Sequence, residues 1–238
     1  MSVIWHDLEC GAYAADMALW RELAGERGDP VLDVGAGTGR ITLDLARHGH
    51  RATALDRDPA LIAELERRAT GLDVSTAIAD ARAFALAERF PLIIVPMQTI
   101  QLLGGEQGRL EFLACARRHL TPAGGVVAIA ISEMLELYSA EDGVAVPIPD
   151  IRELDGIVYL SQPTAVREDG AGFVLERLRE TVSLDGERTS ERDVIHLDRL
   201  SAGTLEAEGA RVGLDPYGRH AIPATTDHVG SVVVMLRG

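Results

Sequence analysis

The sequence predicts an α/β protein: a doubly wound, mostly parallel sheet with helices on both faces, carrying an antiparallel β insertion. Three observations predict it. Over residues 1–131 short apolar runs alternate with amphipathic stretches, the order of strand–helix–strand units. The run Leu92–Val95 is apolar without a break, as a strand buried on both faces of a parallel sheet would be. From Ser132 onward the pattern changes to longer segments of polar–apolar alternation, the mark of antiparallel strands.

The elements follow in order. Residues Ala12–Gly28 suit a helix, because Ala15, Leu19, Leu23 and Ala24 form an apolar stripe at helical spacing; Gly28-Asp29-Pro30 ends it. Val31–Val34 is strand one, and a glycine-rich turn leads into a helix from Thr38 with Ile41, Leu43, Leu45 and Ala46 on its buried face. His48-Gly49-His50 closes that helix as a structural pair, and Ala52–Leu55 is strand two. Asp58-Pro59 starts the next helix, a capping acid before a proline at the first helical position, and the helix runs to about Thr70-Gly71. Val74–Ala79 and Leu92–Val95 are strands three and four, Gly108–Leu120 is a helix, and the turn Thr121-Pro122-Ala123-Gly124 leads to strand five, Val126–Ile131. Ile157–Leu160, Phe173–Leu184 and Glu187–Leu197 read as long strands, with a hairpin turn at Leu184-Asp185-Gly186-Glu187. Ser201 caps a helix to about Gly209, and Arg211–Tyr217 and Val229–Leu236 return as strands to the main sheet. The expected organisation is a core of residues 1–131 and 201–238 with an antiparallel β subdomain at 132–200.

The net charge of −14 excludes whole classes of partner. Nucleic acid needs phosphate-neutralising cations, and an anionic membrane surface would repel this chain. The absence of lysine and asparagine fits a GC-rich coding sequence. The longest apolar runs, Leu92–Met97 and Val126–Ile131, are far too short to span a bilayer, and Met1–Glu9 does not read as a secretory signal, so a cytoplasmic location is expected. Cys10 and Cys115 lie far apart without metal-ligand spacing; they are expected to be thiols in a reducing compartment, and no metal site is expected.

The chemistry gathers around Val31–Arg40. Glycines in a turn permit positive φ and let a ligand press against the backbone. Their spacing is Gly35-x-Gly37-x-Gly39, with Ala36 between the first two, and Arg40 stands where the dinucleotide fingerprint needs another glycine. Asp33, two residues before the first glycine, would repel a pyrophosphate and attract an ammonium. Asp56, just past strand two, can accept from both hydroxyls of a ribose. Asp80-Ala81 closes strand three, where the carboxylate can accept from an adenine amino group while a backbone N–H meets the ring. An amino acid end, a ribose and an adenine with no phosphate describe S-adenosylmethionine (SAM), whose demethylated product is S-adenosylhomocysteine (SAH).

On these residues the chain resembles a class I SAM-dependent methyltransferase, whose core is a Rossmann-like seven-stranded sheet. Val31–Arg40 is similar to the glycine-rich first motif, Leu55–Pro59 with Arg57 to the ribose segment, and Ala79–Arg82 to the adenine segment. Phe90–Leu103, with Pro96 and Met97, is similar to the fourth motif, and Leu120–Ile131 to the turn into strand five. The resemblance covers residues 12–131 and, by pattern, the last two strands, which in the family form an antiparallel edge. It is greatest to the small-molecule branch that includes aminosugar N-methyltransferases and glycine N-methyltransferase-like enzymes, which carry an antiparallel lid after strand five, here about Ser132–Leu200. Pro96-Met97-Gln98-Thr99 departs from the Asp/Asn-Pro-Pro-Tyr/Phe pattern of nucleobase amino methylation, and Trp5-His6-Asp7 stands where the branch often has a Tyr-Asp pair. Tyr13, with Ala14-Ala15-Asp16 behind it, is similar to a tyrosine-led helix that folds over the cofactor.

The resemblance implies methyl transfer to an N, O or C atom of a small molecule by a monomer or homodimer. It places Met97, Gln98, Thr99 and Gln101 near the transferable methyl, Gln98 and Gln101 facing the substrate. Candidate proton acceptors are His6, Tyr13, Glu133, His196, His220 and His228, with His6 first because its segment is expected to reach the cofactor cleft. Tyr13 is expected chiefly as a cofactor contact, since a phenol of ordinary pKa is a poor base near neutrality. Two other readings compete: an NAD(P)-dependent oxidoreductase, disfavoured by Asp33 and Arg40, and a non-catalytic SAM-binding subunit of a larger enzyme.

Overall fold

The computed structural model describes residues 3–143, 146–170, 172–225 and 228–238. In chain order α1 (Val3–Cys10) and α2 (Met17–Arg27) precede β1 (Val31–Val34), α3 (Arg40–Arg47), β2 (Ala52–Asp56), α4 (Pro59–Arg68), β3 (Val74–Ile78) and β4 (Leu92–Val95). A short 3-10 turn (Thr99–Leu102), α5 (Gly105–His119) and β5 (Val126–Ile131) complete the first half. Then come β6 (Tyr138–Ser139), β7 (Asp150–Leu154), β8 (Ile157–Glu168), β9 (Gly172–Val182), β10 (Arg188–Asp198), α6 (Ala202–Arg211), β11 (Asp215–Ile222) and β12 (Ser231–Arg237).

Two compact units emerge, the first of Tyr13–Glu133 and Leu200–Gly238 with Val3, the second of Ile4–Ala12 and Met134–Arg199. In the first unit seven strands lie in the order β11-β12-β5-β4-β1-β2-β3. The five from β1 to β5 pair in parallel, and β12 runs antiparallel to both neighbours. This is the expected mostly parallel sheet. The chain winds outward from β1 in one direction and from β4 in the other, so their boundary is the switch point beyond which such sheets bind ligands.

Alternation along each central strand fills both faces. Leu32, Val34, Ile93, Val95, Val127 and Ile129 pack with Phe84, Phe112 and Leu113, while Val31, Leu92, Ile94, Val126 and Ala128 pack with Trp20, Leu23, Ile41 and Leu45. Each such side chain taken fully out of water contributes about 1.5–3 kcal/mol.

Several expected boundaries are corrected. α2 starts at Met17, not near Ala12, and Ala15 is exposed outside it; Trp20 is the residue that joins Leu23 and Ala24 in the core. Arg211 ends α6 and does not begin a strand. The Gly213 and Leu214 amides bond back to Ala210 and Gly209, which closes the helix, and β11 starts at Asp215. β12 starts at Ser231, not at Val229.

The second unit is an antiparallel sheet ordered β10-β9-β8-β6, with β7 also paired to β8. β8 runs well past the expected Leu160, because a register shift between Pro163 and Ala165 carries it through the proline. β6, β7 and α1 were not expected. α1 belongs with this sheet: Glu9 accepts from Nε and Nη2 of the Arg179 guanidinium (2.7 and 2.8 Å) and from the Ser161 hydroxyl (2.8 Å), and Trp5 meets Tyr159 edge-on.

Candidate active site

The turn after β1 is shaped by the atoms behind it. Gly35 has φ of +75°, and a Cβ there would come within 2.5 Å of Thr99 Cγ2 and 2.7 Å of its Oγ1. Glycine is thus required twice over, by backbone conformation and by the approach of the loop that follows β4. Gly39, with φ of +93°, ends the turn one residue before α3 begins.

The turn's amides are largely spent inside the protein. Gly35 and Ala36 both donate to the Leu55 carbonyl (2.8 and 3.1 Å), Gly39 donates to Ala36 (2.9 Å), and Gly37 donates to Oδ2 of Asp56 (2.9 Å). The other oxygen of Asp56 accepts from the Asp58 amide at 3.0 Å. Each of these oxygens keeps lone-pair capacity beyond the bond that orients it.

Asp33 is buried in the sheet. Its Oδ2 accepts from the Thr42 amide (3.1 Å) and hydroxyl (2.7 Å), while Oδ1 is buried with no hydrogen bond from the described residues. Burial pushes its carboxyl up to about 6, against the opposing pull of Thr42 and the Arg40 charge. Asp80 has the opposite environment. Arg82 grips both its oxygens (2.9 and 2.6 Å) and donates its own amide (2.8 Å), holding the carboxyl down at about 2. Ala81 beside it is half-buried, and Arg57 is exposed, with its charge felt at Asp80.

Beyond β4 the chain makes a strained corner. Pro96 is buried, and Met97 has φ of +57°, which a side-chain-bearing residue rarely adopts. Thr99 Oγ1 donates back to the Pro96 carbonyl at 3.1 Å. Gln98 donates to the Ser132 hydroxyl (3.0 Å) at the end of β5. Gln101, expected to face a substrate, is buried and clamps the Ser132 backbone from both sides, accepting its N–H (2.9 Å) and donating to its C=O (3.1 Å).

Tyr13 is buried beside this edge. Its ring lies 4.9 Å from the His228 ring, its hydroxyl bonds to Ser231 at the start of β12, and the Arg40 guanidinium stands 5.2 Å from its centroid. Burial and the Asp16 charge push its phenol above the ordinary value. His6, on α1, belongs to the second unit, and the glycine turn belongs to the first. Of the other candidates, Glu133 caps α6 by accepting from the Ala202 amide (2.6 Å), and His196 is exposed near Asp169.

The first unit thus holds Tyr13, Asp33, Gly35, Ala36, Gly37, Gly39, Asp56, Pro96, Met97 and Gln98. Sequence reasoning missed the contacts of Asp16, Thr42 and Ser132 and the nearness of His228 to Tyr13. Among the described residues no three His, Cys, Asp or Glu side chains converge as a metal site, and no helix is long and apolar enough to cross a membrane.

Comparison with known proteins agrees with this geometry. Residues 31–124 match the family model of the methyltransferase domain. A curated relative is the probable cobalt-precorrin-6B C(15)-methyltransferase (decarboxylating) of Methanothermobacter thermautotrophicus, 34% identical over 110 residues that make up 44% of this chain and 54% of that protein. The chain spans about half the length of the curated relatives it matches. Among solved structures, the sugar N-methyltransferase KedS8 from Streptoalloteichus superposes with a TM-score of 0.71 at 22% identity, covering 98% of this chain and 90% of that one. The SAM-bound amino pentose methyltransferase CalS10 from Micromonospora echinaspora gives 0.70 at 19% identity, over 99% and 97%. The fold is that of the class I methyltransferases. Residues 31–124 carry the similarity to the methyltransferase domain, whose family uses SAM.

Proposed function

We propose that the protein is a SAM-dependent methyltransferase acting on an N, O or C atom of a small molecule, with an amine nitrogen the foremost acceptor. The observation that carries this is the state of the glycine turn. With the amides of Gly35, Ala36, Gly37 and Gly39 committed within the chain, the turn offers carboxylates and not N–H donors to a ligand. That suits an ammonium and a ribose and is ill suited to a pyrophosphate, which disfavours the NAD(P) reading. The Oδ1 of Asp33, buried with no hydrogen bond from the described residues, is the feature that fits the cofactor's ammonium.

When bound, SAM supplies a methyl group on an activated sulfonium, transferred by in-line displacement. The chain's own residues orient and desolvate. Asp33 receives the ammonium, Asp56 the ribose hydroxyls, and Asp80 with the Ala81 backbone the adenine edge, with Arg57 flanking. Tyr13, Pro96 and Met97 wall the site, and Gln98 orients the acceptor. Holding two reactants in attack geometry can be worth roughly 7–11 kcal/mol, so positioning is the chief contribution asked of the chain. A protonated acceptor also needs a base, for which His6 is the proposed group, joined by His228 against the Tyr13 ring, while the raised phenol of Tyr13 suits it to the wall and not to proton abstraction. The amine acceptor is supported by the sugar and amino pentose substrates of KedS8 and CalS10. The antiparallel unit is proposed to choose the acceptor, and the protein to work as a cytoplasmic monomer or homodimer.

Calorimetric titration with SAH and, separately, NADH tests the reading. SAH binding with no response to NADH is expected, and the reverse overturns it. A panel of small amines followed by mass spectrometry for methyl addition then identifies the acceptor; a protein that binds SAH yet methylates only when a second chain is added is instead a subunit.

A further inference from the structure

Arg40 occupies an unusual place. It is the first residue of α3, directly after the glycine turn, where a cation meets the positive end of the helix dipole. Its side chain is almost entirely buried and turned away to the segment before α2. Nη1 donates to Asp16 Oδ1 (2.6 Å) and to the Tyr13 carbonyl (2.9 Å), and Nη2 donates to Asp16 Oδ2 (2.8 Å). The same guanidinium stands over the Tyr13 ring.

Asp16 is equally committed. It stands at the N-cap of α2 yet its side chain caps nothing there; it takes Arg40 and the Trp20 indole N–H (2.8 Å). An acid at a cap position that gives up the cap for a buried fork has been recruited to hold Arg40. Ala14 and Ala15 between the two anchored residues are exposed and contribute no core packing. The hold on this segment is therefore concentrated in Tyr13, Asp16 and the guanidinium that reaches both.

We propose that Arg40 is a positioning residue that locks Tyr13 to the cofactor turn, so that the turn and the Tyr13 ring move as one body. The guanidinium fixes the Tyr13 backbone through its carbonyl, its ring through the cation face, and the following residues through Asp16. Occupancy of the turn is thereby felt at Tyr13 and at the His228 ring stacked on it. Lysine in this place would keep the charge but could not bridge both carboxylate oxygens and the carbonyl together.

This inference rests on the SAM reading for its ligand, and its test has one arm that does not. Amide hydrogen exchange on the ligand-free protein compares the native chain with Arg40→Gln. Faster exchange confined to residues 13–17, with the β1, β4 and β5 amides unchanged, is expected; unchanged exchange at 13–17 overturns the lock. The second arm is a double-mutant cycle on SAH affinity with Arg40→Gln, Tyr13→Ala and the pair. Each single change is expected to weaken SAH about tenfold, and the double to be no weaker than the poorer single, because either change releases the same contact. Multiplying effects overturn the coupling. Arg40→Lys should recover only part of the affinity, and full recovery shows that charge alone was required. If the native protein binds no SAH, the functional reading falls with the coupling, and the exchange arm still decides the lock.

Discussion

Asp33 is asymmetric: one carboxylate oxygen rests on Thr42 and the other meets no donor among the described residues, so its charge is costly to hold in the sheet. A carboxyl raised from 3.8 to about 6 binds its proton more tightly folded than unfolded. Stability should therefore fall as pH rises from about 4 to about 6 and level off above, by on the order of 3 kcal/mol. Asp33→Asn should remove that slope in urea melts while leaving the midpoint at pH 8 no lower than native. Ligand binding runs the other way, because only the ionised carboxylate attracts an ammonium. SAH affinity should rise as pH passes 6 in the native protein and stay low and flat in Asp33→Asn; a variant that keeps the native pH dependence would show that the ammonium lies elsewhere. Gly35 gives a steric counterpart. Gly35→Ala places a methyl against Thr99 and strains the backbone, so a loss of about 1–3 kcal/mol and of SAH binding is expected. Thr99→Ala on top of it removes the two closest atoms and should restore part of the stability, leaving the cost of positive φ.

At the scale of elements, α5 and α6 are joined by a charge pair that no motif announced. Arg109 donates to both oxygens of Glu208 at 2.9 and 2.6 Å, both side chains almost fully buried. Removing one partner leaves a buried charge, so Arg109→Met should cost about 3–5 kcal/mol in denaturant unfolding, whereas Arg109→Met with Glu208→Leu should recover most of it. A double variant as unstable as the single would mean that the pair also organises its surroundings. This pair shows why the sequence was legible only in part. Local spacing wrote β4 and β5 without error as continuous apolar runs bounded by turn residues, and β1 as a short apolar run, broken by one acid, that leads into the glycine turn. Asp58-Pro59 likewise marked the start of α4. Contacts between distant segments leave no local trace: Arg109 with Glu208, Asp16 with Arg40, Glu9 with Arg179. For the same reason α1 was not foreseen. The carboxylates that end parallel strands were legible because position on the sheet follows from the strand pattern, whereas Gln101 looked available and proved to be a backbone clamp.

For the whole molecule the decisive quantity is charge. A chain at −14 surrounds itself with a negative potential that draws cations toward it and leaves neutral molecules indifferent. SAM at neutral pH carries a sulfonium, an ammonium and a carboxylate, one net positive charge; SAH has lost the sulfonium and is neutral. Donor and product therefore differ in the long-range force that brings them in, apart from any contact within the site. Raising ionic strength from about 0.01 M to about 0.1 M shortens the screening length from about 30 Å to about 10 Å, which removes most of that force before contact. The association rate of SAM in stopped-flow should drop severalfold across this range while that of SAH changes little. Equal salt dependence for the two would mean that local contacts, chiefly the carboxylates at 33 and 56, govern capture and that the overall charge is incidental. If the rates diverge as expected, the acidic surface favours exchange in the productive direction: it concentrates the charged donor near the sheet's carboxyl edge and offers the neutral product nothing comparable to hold it.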